Sequence, residues 1–291
     1  MNKCPKTGYQ LIRVLGEGGD GTVFLAESTS NDLYAVKIFH EDCFVEQTLA
    51  SELTLRLRSW IDLGSHPFLV RALSCGFYSN RAVLVMEYVP SDGVTSNVSL
   101  QDHICSSAGP VSLKLSIRWA SQVCSAMEHA NRHGVAAHGD IKPSNILITS
   151  SERNAKLTDF GSTLTRKRQS NSLKPKQTLP SRWPLLANGG YIRGTPGYIS
   201  PEAYRGERTD VQSDLFSFGV VLWQLVTGRI SPPFLDRTRG SSDSISSEML
   251  SRAQHAGSPL DPLIWRCLCP DPAQRFDNFT CLRRELERLA H

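Results

Sequence analysis

His138, Asp140, Lys142 and Asn145 fall within the eight residues HGDIKPSN (138–145), and the apolar run Ile146-Leu147-Ile148 follows at once. An acid, a base and an amide at that density are costly to bury unless each finds a partner. A turn that satisfies its own polar groups is one reading of the stretch. The other is a loop that holds a substrate hydroxyl and a metal ion just above a buried strand. LTDFG (157–161) adds a second carboxylate, Asp159, shortly afterwards.

Two further motifs lie upstream. Gly16, Gly18, Gly21 and Val23 in LGEGGDGTVFLA fit G-x-G-x-x-G-x-V, a pattern shared by dinucleotide-binding turns and by phosphate-covering hairpins. A dinucleotide turn needs a helix directly after the glycines, whose N-terminus meets the pyrophosphate. Here the strand sequence TVFLAE follows, which suits a hairpin whose bare backbone can approach phosphates. A glycine-rich hairpin with no ligand fits the same residues. Lys37, in YAVKIF, is flanked by Val36 and Ile38. An ammonium in such a strand either faces solvent or requires an anion, and Glu52 or Glu46 on the next helical stretch can supply a carboxylate.

The elements that must position these groups are legible from periodicity. YQLIRVL (9–15), TVFLAES (22–28), LYAVKIF (33–39) and AVLVMEY (82–88) are aromatic and β-branched, with turn residues between them. Residues 44–61 carry Val45, Leu49, Leu53, Leu57 and Trp60 at helical spacing. VPSDGVTSN (89–97) breaks the pattern as a hinge. Beyond it the chain turns mainly helical. Residues 112–134 keep an apolar face and end at Gly134, residues 213–228 are apolar on every side, and DNFTCLRRELERLAH closes the chain as an amphipathic helix. Two stretches, 162–194 and the polar 236–248, read as poorly ordered, and no internal repeat is evident.

Bulk properties exclude several classes. The 291 residues suffice for one large domain or two small ones. A net charge of +4 is too weak a bias to argue for nucleic acid or a membrane surface. The eight cysteines include no C-x-x-C pair, so neither a zinc site nor a disulfide framework is indicated, and reduced thiols in a cytoplasmic setting are expected. No apolar run approaches the roughly 18 residues of a membrane span, and MNKCPKTGYQ lacks the apolar stretch of a signal peptide.

With the glycine loop and AVK, HGDIKPSN and LTDFG resemble the signature set of the eukaryotic-like serine/threonine protein kinases in order and spacing. TPGYISPE (195–202), SDLFSFG (213–219) and CPDPAQR (269–275) are similar to later segments of that family, so the resemblance runs from Leu15 to about Arg275. It implies a bilobal α+β fold. Residues 1–89 would form a small antiparallel β-rich N-lobe with one main helix, and 90–291 a larger, mainly helical C-lobe.

It also implies site roles. Asp140 would orient the attacking hydroxyl and accept its proton, and Lys142 would offset charge on the transferred phosphoryl group. Asn145 and Asp159 would hold magnesium, with manganese as a substitute. Lys37 would contact ATP phosphates and pair with Glu52, with Glu46 as the alternative. Gly16, Gly18 and Gly21 would cover the phosphates. Leu15, Val23, Ala35 and Leu147 would wall the adenine, Met86 would guard the back of its pocket, and main-chain groups of Glu87, Tyr88 and Val89 would contact it. Lys142 and Thr195 resemble the pattern of enzymes that act on serine and threonine. Protein or peptide substrates follow, with no nucleic-acid or membrane partner and with a dimer admitted.

The chain departs from the family in three places. Gly139 stands where most regulated members carry an arginine that meets an activation-loop phosphate, so activity is expected not to depend on one. Arg56 stands one helical turn after Glu52, where an apolar residue is usual. Residues 162–194 hold seven basic residues and no acidic one, which leaves the rest of the chain at −3. That is a solvated loop, a docking surface for acidic substrates, or a loop quieted by its own phosphorylation. A pseudokinase scaffold is the competing class. Such scaffolds usually lack the strand lysine or one of the two aspartates, and all three are present. A small-molecule kinase on the same fold is disfavoured by the peptide-holding GTPGYISPE.

Overall fold

The computed structural model describes residues 8–40, 47–78, 81–90, 99–107, 109–150, 153–160, 164–165, 194–207, 209–231 and 257–290, with main chain only for 47–52 and 164–165. Glu46, residues 236–248 and nearly all of 162–194 therefore lie outside the described residues. The strand-like sequences become β1 (Tyr9–Glu17), β2 (Gly21–Ser28), β3 (Leu33–Phe39) and β5 (Arg81–Glu87), joined by β4 (Ala72–Tyr78). All pairings are antiparallel, and the strand order is β1-β2-β3-β5-β4.

The period of two sorts this sheet into two faces. Ala35, Phe39, Leu84 and Met86 point into the main core, while Ala26, Val36, Val83 and Val85 form a separate apolar layer on the opposite face. Helix α1 (Gln47–Asp62) buries Leu53, Leu57 and Trp60 in the main core. The Trp60 indole donates to the Val70 carbonyl at 2.9 Å, which satisfies its one polar atom.

A second, helical lobe follows. Helix α2 (Leu100–Ser106) opens with a reciprocal cap, in which Ser99 Oγ accepts from the Asp102 N–H and Asp102 Oδ2 accepts from the Ser99 N–H, each at 3.1 Å. Helix α3 (Leu113–Arg132) is capped by Ser112 and is followed by Gly134 at φ +90°. The short α4 (Pro201–Tyr204) precedes α5 (Val211–Thr227), which is buried along most of its length and stops at Gly228 with φ +65°. Helices α6 (Asp261–Cys267) and α7 (Phe279–Arg288) close the lobe, the latter through Phe279, Leu282 and Leu286.

Two small antiparallel pairs lie in the second lobe. β6 (Val135–Ala137) pairs with β9 (Leu164–Thr165), and β7 (Ile146–Ile148) with β8 (Ala155–Leu157). Segment 68–70 of the first lobe bonds to β8, with Val70 N–H to Leu157 O and Leu157 N–H to Phe68 O, both 2.9 Å. One apolar core consequently runs from Ala35 in the sheet to Leu286 in α7. The molecule has the two-lobed α+β architecture that the motifs implied.

Beneath α5 lies a buried ion pair. Arg275 is 1% exposed and donates to both oxygens of Glu202, at 2.8 and 2.9 Å, and also to the carbonyls of Cys269 and Gln212. Breaking one side of such a pair strands a charge in the core. Arg275→Met is expected to lower the unfolding free energy by about 3–5 kcal/mol, read from the guanidinium midpoint, whereas an exposed change such as Arg288→Met should leave the midpoint nearly unmoved.

Candidate active site

Between the lobes lies a cavity of about 500 Å³. Leu15, Gly16, Gly18, Gly21, Val23, Ala35, Lys37, Met86, Glu87, Val89, Asp140, Lys142, Asn145, Leu147 and Asp159 all line it. Glu52 lies on α1, and its side chain is outside the described residues.

The glycines differ in why they are glycine. A side chain on Gly21 would run into the main chain of Ile38 and Phe39, so that residue is required for β2 to pass β3. Gly16 has no heavy atom within 4 Å of a would-be side chain, and Gly18 only the Gly21 carbonyl at 3.9 Å. There the bare backbone leaves room over the cavity instead.

Lys37 projects from β3 and is 6% exposed. Its Nζ donates to Asp159 Oδ1 at 2.7 Å, so within the described residues Asp159 is its carboxylate partner. Burial pulls the ammonium down, but the charge and hydrogen bond of Asp159, with help from Asp20 and Asp140, hold it above its ordinary value. For Asp159 burial alone would push upward, and Lys37 outweighs it, so the carboxyl titrates below its ordinary value. Asp159 adopts φ +65°, a left-handed conformation that aspartate tolerates better than most non-glycine residues. The next residue helps to hold it there. Phe160 is fully buried, with its ring centroid 5.6 Å from Trp60 and 4.4 Å from His138.

The HGDIKPSN loop is satisfied by its own groups and by α5. His138 Nε2 donates to Thr158 O at 3.0 Å while Nδ1 accepts from the Asp140 N–H at 3.2 Å, which defines a neutral ring. Burial lowers its basicity in the same sense. Gly139 has φ +83°. Asn145 ends a short 3-10 turn, Pro143–Asn145, and its Nδ2 donates to the Asp140 carbonyl at 2.9 Å, leaving the side-chain oxygen as its acceptor. Lys142 Nζ reaches Asp140 Oδ2 at 2.7 Å and Thr195 Oγ1 at 2.6 Å, and Thr195 donates to Asp140 Oδ1 at 2.8 Å.

Sequence reasoning did not single out the residue that holds this loop. Asp214, in the first turn of α5, accepts the His138 N–H at 2.7 Å and the Gly139 N–H at 2.9 Å, one with each oxygen. Its sequence signal was its place in SDLFSFG (213–219), a carboxylate in the first turn of a mainly apolar helix. Trp60 was read as part of an apolar stripe, yet it lines the cavity beside Val70, and Ser99 and Asp102 line its outer end. The arrangement offers an acidic acceptor with a lysine beside it, a second carboxylate paired to a buried ammonium, and an apolar slot behind them. Such a site can bind an anionic nucleotide and take a proton from a hydroxyl.

Residues 9–286 match the protein kinase domain family. The chain is 32% identical over 225 residues to the rice (Oryza sativa subsp. japonica) salt tolerance receptor-like cytoplasmic kinase 1, covering 77% of this chain and 57% of that protein. It is 30% identical over 295 residues to the Mycobacterium tuberculosis serine/threonine-protein kinase PknB, covering 97% of this chain and 42% of that protein. The chain thus spans 57% of the first of these proteins and 42% of the second. The kinase domain of M. tuberculosis PknI superposes with a TM-score of 0.69 at 18% identity, over 97% of this chain and 96% of that one, a likeness of fold.

The anchor on α5 makes stability depend on pH. Burial pushes the Asp214 carboxyl up from 3.8 to about 7, against the two N–H bonds that favour its ionised form. A carboxyl whose folded pKa is raised stabilises the fold when protonated, and that contribution is lost as pH rises from about 4 through 7. The difference in unfolding free energy between wild type and Asp214→Asn is therefore expected to fall by up to about 4 kcal/mol across that window. Urea titrations at pH 4.5 and 7.5 measure it.

Proposed function

The chain belongs to the protein kinase domain family, and from that premise we propose that it transfers the γ-phosphoryl group of ATP to serine and threonine hydroxyls of proteins, its own chain included. One observation carries this reading: Lys37 of β3, Asp140 and Asn145 of the HGDIKPSN loop and Asp159 after β8 come from three segments distant in sequence yet line one cavity. Residues 1–89 and 90–291 are assigned as the nucleotide-binding and substrate-binding lobes of one catalytic domain.

The residues take the following parts. Asp140 lies beside Thr195 in the segment assigned to the peptide; it orients the incoming hydroxyl and accepts its proton as the new O–P bond forms. The bond from the γ-phosphorus to the β–γ bridging oxygen breaks, and ADP leaves. Lys142, already on Asp140, offsets charge on the moving phosphoryl group, and Lys37 steadies the remaining phosphates. Glu52 is the second carboxylate proposed for Lys37.

The residues present fit a magnesium ion. Asn145, whose Nδ2 is taken up by the Asp140 carbonyl, offers a side-chain oxygen without a hydrogen-bond donor among the described residues, and Asp159 offers a carboxylate in the same cavity. No group of three or more His, Cys, Asp or Glu able to hold a metal occurs among the described residues. That suits an ion that takes only one or two protein oxygens and fills its shell with phosphate and water. Bound there, it would neutralise charge on the phosphates; manganese fits the same donors.

Localisation is inferred to be cytoplasmic, on the free thiols of the described cysteines. No helix among the described residues is long and apolar enough to cross a membrane. The seven basic residues of 162–194 favour acidic protein substrates. With glycine at 139 no arginine is offered there to an activation-loop phosphate, so turnover is proposed not to require one.

Incubation with labelled ATP and magnesium tests these assignments together. Wild type is expected to label serine and threonine in itself or a carrier protein, and Asp140→Asn and Asp159→Ala to lose at least about 100-fold in rate. A chain with every Ser and Thr between 162 and 181 changed to Ala should keep most of the rate. Equal signal from the two aspartate variants and wild type would refute the catalytic reading, and silence of the alanine-substituted loop would refute loop independence alone.

A further inference from the structure

The carboxylate of Glu87, at the end of β5, is held by two other segments. Its Oε1 accepts the Arg71 N–H at 2.9 Å and also the ammonium of Lys156. Lys156 belongs to β8, where its Cα partner across the ladder is Leu147 of β7. Side chains directly opposed across an antiparallel ladder leave the sheet on the same face. Lys156 therefore emerges on the face that carries Leu147, while its neighbours Ala155 and Leu157 turn into the core and are fully buried. Leu147 and Glu87 both line the cavity, one as part of its floor and the other at the turn between the lobes. The pair is partly shielded, with side chains 17% and 32% exposed.

We propose that Lys156 and Glu87 form a latch that sets the width of the base-binding slot, with Lys156 acting as a positioning residue for nucleotide affinity. The inference rests on the proposed nucleotide site. One oxygen ties together the segment before β4, the strand end whose backbone borders the slot, and the hairpin that floors it. Tyr88, Val89 and Pro90 follow Glu87 directly, so the latch stands where the first lobe hands the chain to the second. Without the ammonium, the Glu87 carboxylate keeps, among the described residues, the Arg71 amide alone, and no side chain of β8 draws the strand end toward Leu147. The phosphoryl end of the cavity, with Lys37, Asp140, Asn145 and Asp159, lies outside these contacts. Loss of the latch should weaken binding of the base and leave the transfer step alone.

Calorimetry with adenosine and with ATP, together with steady-state phosphoryl transfer, tests the latch on Lys156→Met, Lys156→Arg, Lys156→Glu and the double variant Lys156→Glu/Glu87→Lys. Lys156→Met should weaken adenosine and ATP by the same factor, about 5-fold, and raise KM for ATP to match, with kcat unchanged. Lys156→Arg should stay within about 2-fold of wild type. Lys156→Glu should lose more than Lys156→Met, and adding Glu87→Lys should recover part of it, the Arg71 N–H being left without its carboxylate acceptor. A residue important only to folding stability would show no split between KM and kcat and no recovery by the reversed pair. Adenosine affinity unchanged in Lys156→Met and Lys156→Glu, or no recovery in the double variant, would overturn the latch and leave the kinase reading standing. A wild-type chain that binds neither adenosine nor ATP would overturn both.

Discussion

Asp214 accepts two consecutive main-chain amides, those of His138 and Gly139, from the buried end of α5. The position of the HGDIKPSN loop depends on it. A carboxylate that takes both amides sets the direction in which the chain leaves β6, and Asp140 follows immediately. The His138 ring then returns to Thr158, just ahead of Asp159. A single buried acid thereby fixes two carboxylates relative to one another and to the most apolar helix in the chain. Because α5 is packed on nearly every side, the loop inherits the rigidity of the core.

The second connection crosses between lobes. Lys37 is carried by β3 and Asp159 by the segment after β8, and the pair meets at 2.7 Å. Each group helps the other to stay charged in a site where burial alone would neutralise them. Trp60 and Phe160 extend this link into α1, so the left-handed backbone at Asp159 sits on a ring that is itself wedged between helix and loop. Charge pairing and apolar packing thus act on the same few residues.

The lobes were legible in the sequence because each repeats a local period. β1, β2, β3 and β5 are aromatic and β-branched runs set off by turn residues, α1, α3 and α5 keep or exceed an apolar stripe, and the dense motifs marked the loops that carry the site. β4 escaped because Ser74, Cys75 and Gly76 are weak strand formers, and as an edge strand it shows no sustained apolar alternation. Asp214 escaped for another reason: its partners lie 76 and 75 residues away, and no local spacing records so distant a contact. The same holds for Glu87 with Lys156, which are 69 residues apart. Gly21 was recognised as glycine for a phosphate, whereas its immediate constraint is the main chain of β3.

Convergence of Lys37, Asp140, Asn145 and Asp159 on a single triphosphate underlies the whole functional reading, and a crystal structure with magnesium and a non-hydrolysable ATP analogue tests it most directly. The expected result is adenine between Ala35 and Leu147, magnesium bonded to Asn145 and Asp159, Lys37 on a phosphate oxygen, and Asp140 facing the γ-phosphoryl group. A nucleotide seated elsewhere, or one that leaves any of those four side chains out of contact with the triphosphate and its metal, would contradict it.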